Sequence, residues 1–350
     1  MDRRRHVAAA GEINGRPDGC PRAMGGDYSA WPDADVMMSM LTRSQKSEIK
    51  GRKPNSRGAA IMLALWAIFL LSALVISWAL DIDSRLSLSG EGARMLKAEA
   101  VACSGAEVAL HPAVTPGSRN LSGQLDNGAS YEARLSGEGG RLNLNWLVAG
   151  EDPDRLEILR RFLEVKEIDL HERDTMVDSL LDWVEPNTGL HHLNAPSESD
   201  DYHPPHTLLT RIEELKKIAG WSEFTSTPGW EDEFTLNSGG PVDLAWASRD
   251  VLLALPGLTP EIVDRFLQAR RGPDGIDGTE DDTQIRGIDD AHLLLRLNEE
   301  QFKRLNGLIS FKDPVLRVVS VGTAGKAKRT VQMVFRRIGA VPQLITWKEF

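Results

Sequence analysis

The run from Ala59 to Leu80, AAIMLALWAIFLLSALVISWAL, holds 22 residues without a charge. As a helix it spans about 33 Å, against a bilayer hydrocarbon core of about 30 Å, so it is long enough to cross a membrane. A cleaved secretory signal has a shorter apolar stretch, about 7–15 residues, and ends at a small-x-small site. On the N-terminal flank Arg43, Lys46, Lys50, Arg52, Lys53 and Arg57 stand against Glu48 alone, and the far side begins with Asp81 and Asp83. That Lys/Arg excess orients a single-pass helix with residues 1–57 in the cytoplasm and the rest exported.

Charge divides the chain at the same place. Residues 1–58 carry eleven Lys or Arg against seven Asp or Glu, whereas the remainder carries 30 against 44 and stands at −14. So acidic a body is a poor general binder of nucleic acid, because neutralising phosphates takes clustered Lys and Arg. With 41% hydrophobic and 26% charged residues the composition is globular, which excludes a wholly disordered, collagen-like or polytopic membrane chain. The only cysteines, Cys20 and Cys103, lie on opposite sides of the apolar run, which excludes a disulfide framework. Cys103, among Val101, Ala102 and Ala106, reads as a small buried apolar side chain.

Beyond Leu80 a loosely helical apolar spacing runs through Ile82, Leu86, Met95, Leu96, Val101, Ala106 and Leu110, with no proline before Pro112, so one helix of about 50 residues is expected. Gly90 and Gly92 are the places where it would bend. Ala129–Leu135 and Arg141–Trp146 are period-2 runs joined by Ser136-Gly137-Glu138-Gly139-Gly140 and read as a hairpin. A second strand pair follows only at Val315–Val321 and Thr330–Arg336, with a last strand at Gln343–Trp347. Between them helical spacing appears at Asp154–Val165, Glu172–Val184, Leu208–Ile218, Arg249–Leu255, Pro260–Arg270, Asp289–Leu297 and Glu299–Ile309. This order suggests an α+β chain whose antiparallel sheet is interrupted by a mainly helical insertion, two consecutive domains being the alternative. The expected divisions are 1–58, a basic leader; 59–80, the membrane helix; 81–146, the amphipathic helix and first strands; 147–313, the insertion; and 314–350, the closing strands.

Pro256-Gly257-Leu258-Thr259 resembles the turn of a helix-hairpin-helix, with Thr259 placed to cap a helix that opens at Pro260. Such a turn can bind a DNA phosphate through the amides of Gly257 and Leu258, so a membrane-anchored DNA-uptake protein is the alternative function. The turn has no basic residues, and packing of paired helices is the stronger reading, as for the SAM-like class of small helical domains.

The junction Arg57-Gly58-Ala59-Ala60 resembles the prepilin peptidase site of type IV pilins and type II secretion pseudopilins, where cleavage follows Gly58 and Ala59 becomes the mature N-terminus. Most such proteins carry Glu at the fifth mature position; here it is Leu63. RLNLNWL (141–147), SLLDWVE (179–185), LNAPSESDDYH (193–203), IEELKKIAGW (212–221) and ALPGLTPEIVDRFLQAR (254–270) follow in order. Together they resemble the general secretion pathway protein K (GspK) family across residues 58–340. The resemblance implies a minor pseudopilin of the type II secretion system: a pilin-like α+β body with a helical insertion, single-pass in the inner membrane with the body periplasmic, not an enzyme. It implies removal of the leader and methylation of the new N-terminus, a place at the filament tip, a part in starting assembly, and export of folded proteins as the system's task. Minor pseudopilins I and J, other pseudopilins, the prepilin peptidase and the inner-membrane assembly platform are the implied partners; no nucleic acid is expected. The leader is longer than the family usually shows, and a start near Met37, Met38 or Met40 leaves one of ordinary length.

In Gly272–Thr283, GPDGIDGTEDDT, the acids Asp274, Asp277, Glu280, Asp281 and Asp282 stand among three glycines. Calcium collects about 6–8 oxygens, and glycine lets a loop wrap around it, so this is the candidate calcium loop, although it is no EF-hand. Glu198, Asp200 and Asp201 form a second calcium candidate, where the resembled family has an acidic, tyrosine-containing segment. His191, His192, His203 and His206 match no metalloenzyme spacing. No phosphate loop, nucleophile elbow or Cys–His pair is present, and a periplasmic hydrolase would rest on the carboxylates alone.

Overall fold

The computed structural model describes residues 56–125, 128–187, 189, 191–339 and 341–350. Most of the leader, with Cys20 and the alternative starts Met37, Met38 and Met40, lies outside the described residues, as does the side chain of Ala59. The chain divides into two compact units, residues 1–93 and 94–350.

Helix α1, Ser56–Ala109, is 54 residues long and runs through Gly90 and Gly92 without a break. In the first unit it contains the apolar run, whose large side chains from Ile61 to Leu80 are exposed. It is the one helix among the described residues long and apolar enough to cross a membrane.

In the second unit the end of α1 packs on a five-stranded antiparallel sheet ordered β1-β2-β7-β8-β9. The strands are β1 (Ser122–Gln124), β2 (Ala129–Gly137), β7 (Val315–Ala324), β8 (Ala327–Arg336) and β9 (Gln343–Glu349). Small residues let helix and sheet approach: Ala98, Ala102, Ala106 and Ala109 are buried, and a methyl group on Gly322 would meet the carbonyl oxygen of Ala98 at 1.9 Å. Val318, Val331, Met333 and Phe335 fill the contact from the sheet side. The α+β class, with a long N-terminal apolar helix and an antiparallel sheet, is as expected.

Between β2 and β7 the chain forms β3 (Leu142–Asn143), α2 (Leu144–Val148), α3 (Pro153–Val165), α4 (Leu170–Val184), β4 (Phe234–Thr235), β5 (Val242–Asp243), α5 (Arg249–Ala254), α6 (Pro260–Arg270), α7 (Ile288–Leu295), α8 (Glu299–Lys303) and β6 (Ile309–Ser310). The larger hydrophobic core belongs to this stretch, from Leu142 to Leu308, around Phe162, Trp221, Phe234 and Phe266.

Three local expectations are corrected. Residues 129–135 and 141–146 do not form a hairpin: β2 pairs with β1 and β7, and 141–146 becomes a two-residue strand followed by α2. The glycines between them serve close packing, since a methyl group on Gly137 or Gly140 would strike Trp246 at 2.2 and 2.4 Å. Leu208–Ile218 is not an α-helix but a 3-10 helix over Ile212–Lys217. There Glu214 draws the chain tight by accepting from the amides of Thr210 and Arg211 at 3.0 and 2.9 Å. The helix expected over Glu299–Ile309 stops at Lys303, because Gly307 turns with φ +79° and Ile309–Ser310 joins Val242–Asp243 as a strand.

Candidate functional site

The acidic loop begins where α6 ends. Buried Arg270 donates to the carbonyls of Leu244 and Ala247 at 3.0 and 2.8 Å and turns its remaining edge to Asp277 at 2.8 Å. Arg271 holds the other oxygen of Asp277 at 2.9 Å. The loop is therefore fixed to its own helix, and Asp277 is engaged by two guanidiniums rather than available to a cation. Past that anchor, Gly272, Gly275 and Gly278 take φ values of +63°, +71° and +88°, and the chain folds back on itself.

The fold-back brings Asp274, Asp281 and Asp282 together, each offering an oxygen within 4.8 Å of the other two. Asp281 accepts from the Thr279 hydroxyl at 2.6 Å and from the Asp274 amide at 3.1 Å, which hold its carboxyl below the usual range. Asp282 accepts from the Gly278 amide at 2.6 Å. Glu280 is outside this trio; its backbone lies against Gly117, in the link between α1 and β1. Three convergent carboxylates with turn carbonyls nearby match the hard oxygen donor set that calcium takes, so these residues fit such an ion.

The second acidic group is arranged differently. Glu198 carries His206 Nε2 at 2.9 Å and His203 Nδ1 at 3.3 Å, while Asp200 and Asp201 are exposed in the turn closed by Ser199 and Tyr202. Among the described residues these three acids do not converge on one point. The acids that organise this region are Asp178 and Asp182, one turn apart on α4 and both nearly inaccessible. Asp178 accepts from the Asn194 amide and side chain at 3.0 and 2.8 Å, and Asp182 receives His191 and His192. This pair is not among the candidates read from the sequence. Its signal was two carboxylates at i, i+4 on a helix face otherwise made of Val177, Leu180, Leu181 and Val184.

At the hairpin turn Gly257 has φ +80°, a conformation natural to glycine. Leu258 is 3% exposed and its amide faces the Leu255 carbonyl at 3.4 Å, so this residue serves packing. Thr259 is the N-cap residue of α6 with Pro260 behind it, though its hydroxyl makes no capping bond to the helix backbone. Pro256 completes the turn, which carries no basic residue of its own, and nearby Arg249 is engaged by Asp264 at 2.7 Å.

A cavity of about 890 Å³ opens between β7–β9 and the 210–237 segment. Glu138 and Arg317 line it, with Trp230 and Trp347, and Lys348 reaches Glu213 at 2.6 Å. Its lining contains neither His nor Cys, so it supplies no Ser–His or Cys–His nucleophile.

At the other end of the chain Gly58 lies in the first turn of α1, with nothing within 4 Å of where a side chain would start. Ala59 follows as the next helical residue, and Leu63 is 71% exposed, one of the residues of the uninterrupted apolar surface.

Residues 140–268 match the family model for protein K of the type II secretion system. No curated protein matches the chain. Among solved structures, a chain of the GspK–GspI–GspJ complex from the enterotoxigenic Escherichia coli type 2 secretion system is similar, at 13% identity and a TM-score of 0.49. That likeness covers 77% of this chain and 99% of the other. The family match falls on the segment inserted between β2 and β7, and over that segment the chain is similar to protein K of the type II secretion system.

Proposed function

We propose that this chain is the tip subunit of a periplasmic pseudopilus, held first in the inner membrane by Ala59–Leu80 and released for assembly by cleavage after Gly58. The observation that carries the reading is the protein K match at residues 140–268, which falls on the helical insertion of a body whose N-terminal helix presents an apolar surface. The insertion adds bulk where a simple pilin body has a short connection, and that bulk opposes addition of another subunit above it. Leu63 agrees with such a place: a subunit with no neighbour above has no terminal amine to neutralise. The body is periplasmic and residues 1–57 cytoplasmic, in keeping with the Lys and Arg before the helix. Minor pseudopilins I and J, which share a complex with GspK in the similar solved structure, meet it through helices packed side by side and start the filament with it. The role is assembly rather than catalysis.

Asp274, Asp281 and Asp282 hold a calcium ion in this reading. When bound it supplies charge neutralisation that tightens the loop against the α1–β1 link, where Glu280 already meets Gly117.

The test is the position of the chain on filaments. The full-length protein carrying a small peptide tag is expressed with its pseudopilins, and sheared pseudopili are decorated with gold. The expected result is one label at one end, with a mass for the membrane-extracted chain that begins at Ala59 only when the prepilin peptidase is active. Labels along the shaft would overturn the tip assignment, and retention of the leader in both strains would overturn processing.

A further inference from the structure

The histidine-bearing loop after α4 holds an arrangement that a neutral imidazole cannot satisfy. His192 Nδ1 faces Asp182 Oδ1 at 2.5 Å, and His192 Nε2 faces Glu151 Oε2 at 3.4 Å. Both partners are carboxylate oxygens, which only accept, and a neutral imidazole has a single N–H. Only the imidazolium can donate to both. The same Asp182 oxygen accepts from the His192 backbone amide at 2.9 Å, and its other oxygen holds His191 Nδ1 at 2.6 Å. Asp182 is 5% exposed, so its charge is poorly served by water and depends on these partners.

We propose that Asp182, His192 and Glu151 form a pH-sensitive latch that holds the 191–194 stretch to α4 and slackens as pH rises. The latch joins three pieces of chain: α4 through Asp182, the 3-10 turn Ala149–Glu151 through Glu151, and the loop through His192. The titratable groups around it are few. Asp178, one turn before Asp182, is engaged by Asn194. His191 is on the far oxygen of Asp182, and Tyr202, its ring against Trp183, has its hydroxyl pushed up chiefly by burial and also by Asp182. No Lys or Arg is bonded to Asp182 among the described contacts, so its charged partner is the His192 imidazolium.

The direction follows from linkage. Burial pushes the His192 imidazole down, but Asp182 and Glu151 together raise it above its ordinary 6.5. A raised folded value means the latch contributes fully below the unfolded value and loses its contribution as pH rises through the raised one.

Hydrogen exchange of the full chain in detergent micelles, followed by mass spectrometry on peptides covering 191–206 and corrected for intrinsic rate, tests this. Protection should be constant below about pH 6.5, then fall by up to about tenfold per pH unit until the raised value is passed, and level off. His192→Gln should abolish the step, and Glu151→Gln, at a half-exposed acid whose loss leaves the fold intact, should shrink it. A peptide from 260–270 should show no step. Unchanged protection between pH 6 and 9 in the unmodified chain, or a step of equal size in both variants, overturns the latch.

Discussion

Glu138 is fully buried and accepts four side-chain hydrogen bonds from three residues. Arg317 binds it through two nitrogens at 2.7 and 2.8 Å, Thr235 donates at 2.6 Å and Arg141 at 3.3 Å. Burial pushes the carboxyl up, but Arg317 first, then Arg141 and Thr235, bring it below its ordinary 4.5. Replacing it by Gln leaves Arg317 charged and underpaired in a site 8% exposed, which costs about 3–5 kcal/mol. Thermal melts of Glu138→Gln should show a Tm lower by something on the order of 10 °C. A depressed folded value gives stability that is complete above 4.5 and lost as pH falls through the folded value. The melting temperature of the unmodified chain should therefore drop in acid, with a shallower acid limb in Glu138→Gln. None of this was legible locally. Glu138 stands in a glycine run that looks like a hairpin turn, and its partner Arg317 is 179 positions away. Gly137 and Gly140 are there because Trp246 occupies the space their side chains would fill, and at Gly139 Asp313 does. Spacing along a chain records periodicity, and it does not record which distant ring will press on which backbone.

Among elements, the seat of α1 on the sheet depends on what is missing from both surfaces. Gly322 faces Ala98 and Ala102, and Gly105 faces Ser320 and Tyr131. Adding one methyl group to Gly322 puts carbon at 1.9 Å from a backbone oxygen that cannot swing away, so the helix must lift. Gly322→Ala should cost about 1–3 kcal/mol, read from urea unfolding followed by far-ultraviolet circular dichroism. The expected helix, the β7–β8 pair and β9 were legible because long period-2 and 3.6-residue patterns are strong where one face is buried. The Leu208–Ile218 segment misled because Ile212, Leu215 and Ile218 keep helical spacing while Glu214 spends its carboxylate on the amides before it. In the acidic loop, composition pointed to five carboxylates, and the fold gathers three, because Arg270 and Arg271 claim Asp277 while Glu280 faces Gly117. Calcium titration of the purified chain after chelation should raise its Tm stepwise, and Asp281→Asn should remove most of that rise. A Tm indifferent to chelation, with no ion found by elemental analysis, would count against the loop as a metal site.

For the whole molecule the sharpest consequence concerns Leu63. An unpaired carboxylate within the apolar helix costs about 2.5–3.5 kcal/mol at the bilayer centre and less near the interface, where the fifth mature residue would stand. Pilin-type subunits relieve that cost by pairing the carboxylate with the terminal amine of a neighbour, and a subunit with Leu63 keeps its apolar surface continuous instead. If the tip assignment follows from this residue, Leu63→Glu should acquire a second behaviour: labels should appear within filaments as well as at their ends, and secretion should fall because filaments no longer have a single defined end. If the bulk of the insertion alone sets the place, Leu63→Glu will stay at tips with secretion unchanged. Gold labelling of sheared filaments, scored against a secretion assay on the same strains, separates the two causes. The first outcome is expected, because the carboxylate would find a partner only beneath another subunit's N-terminus.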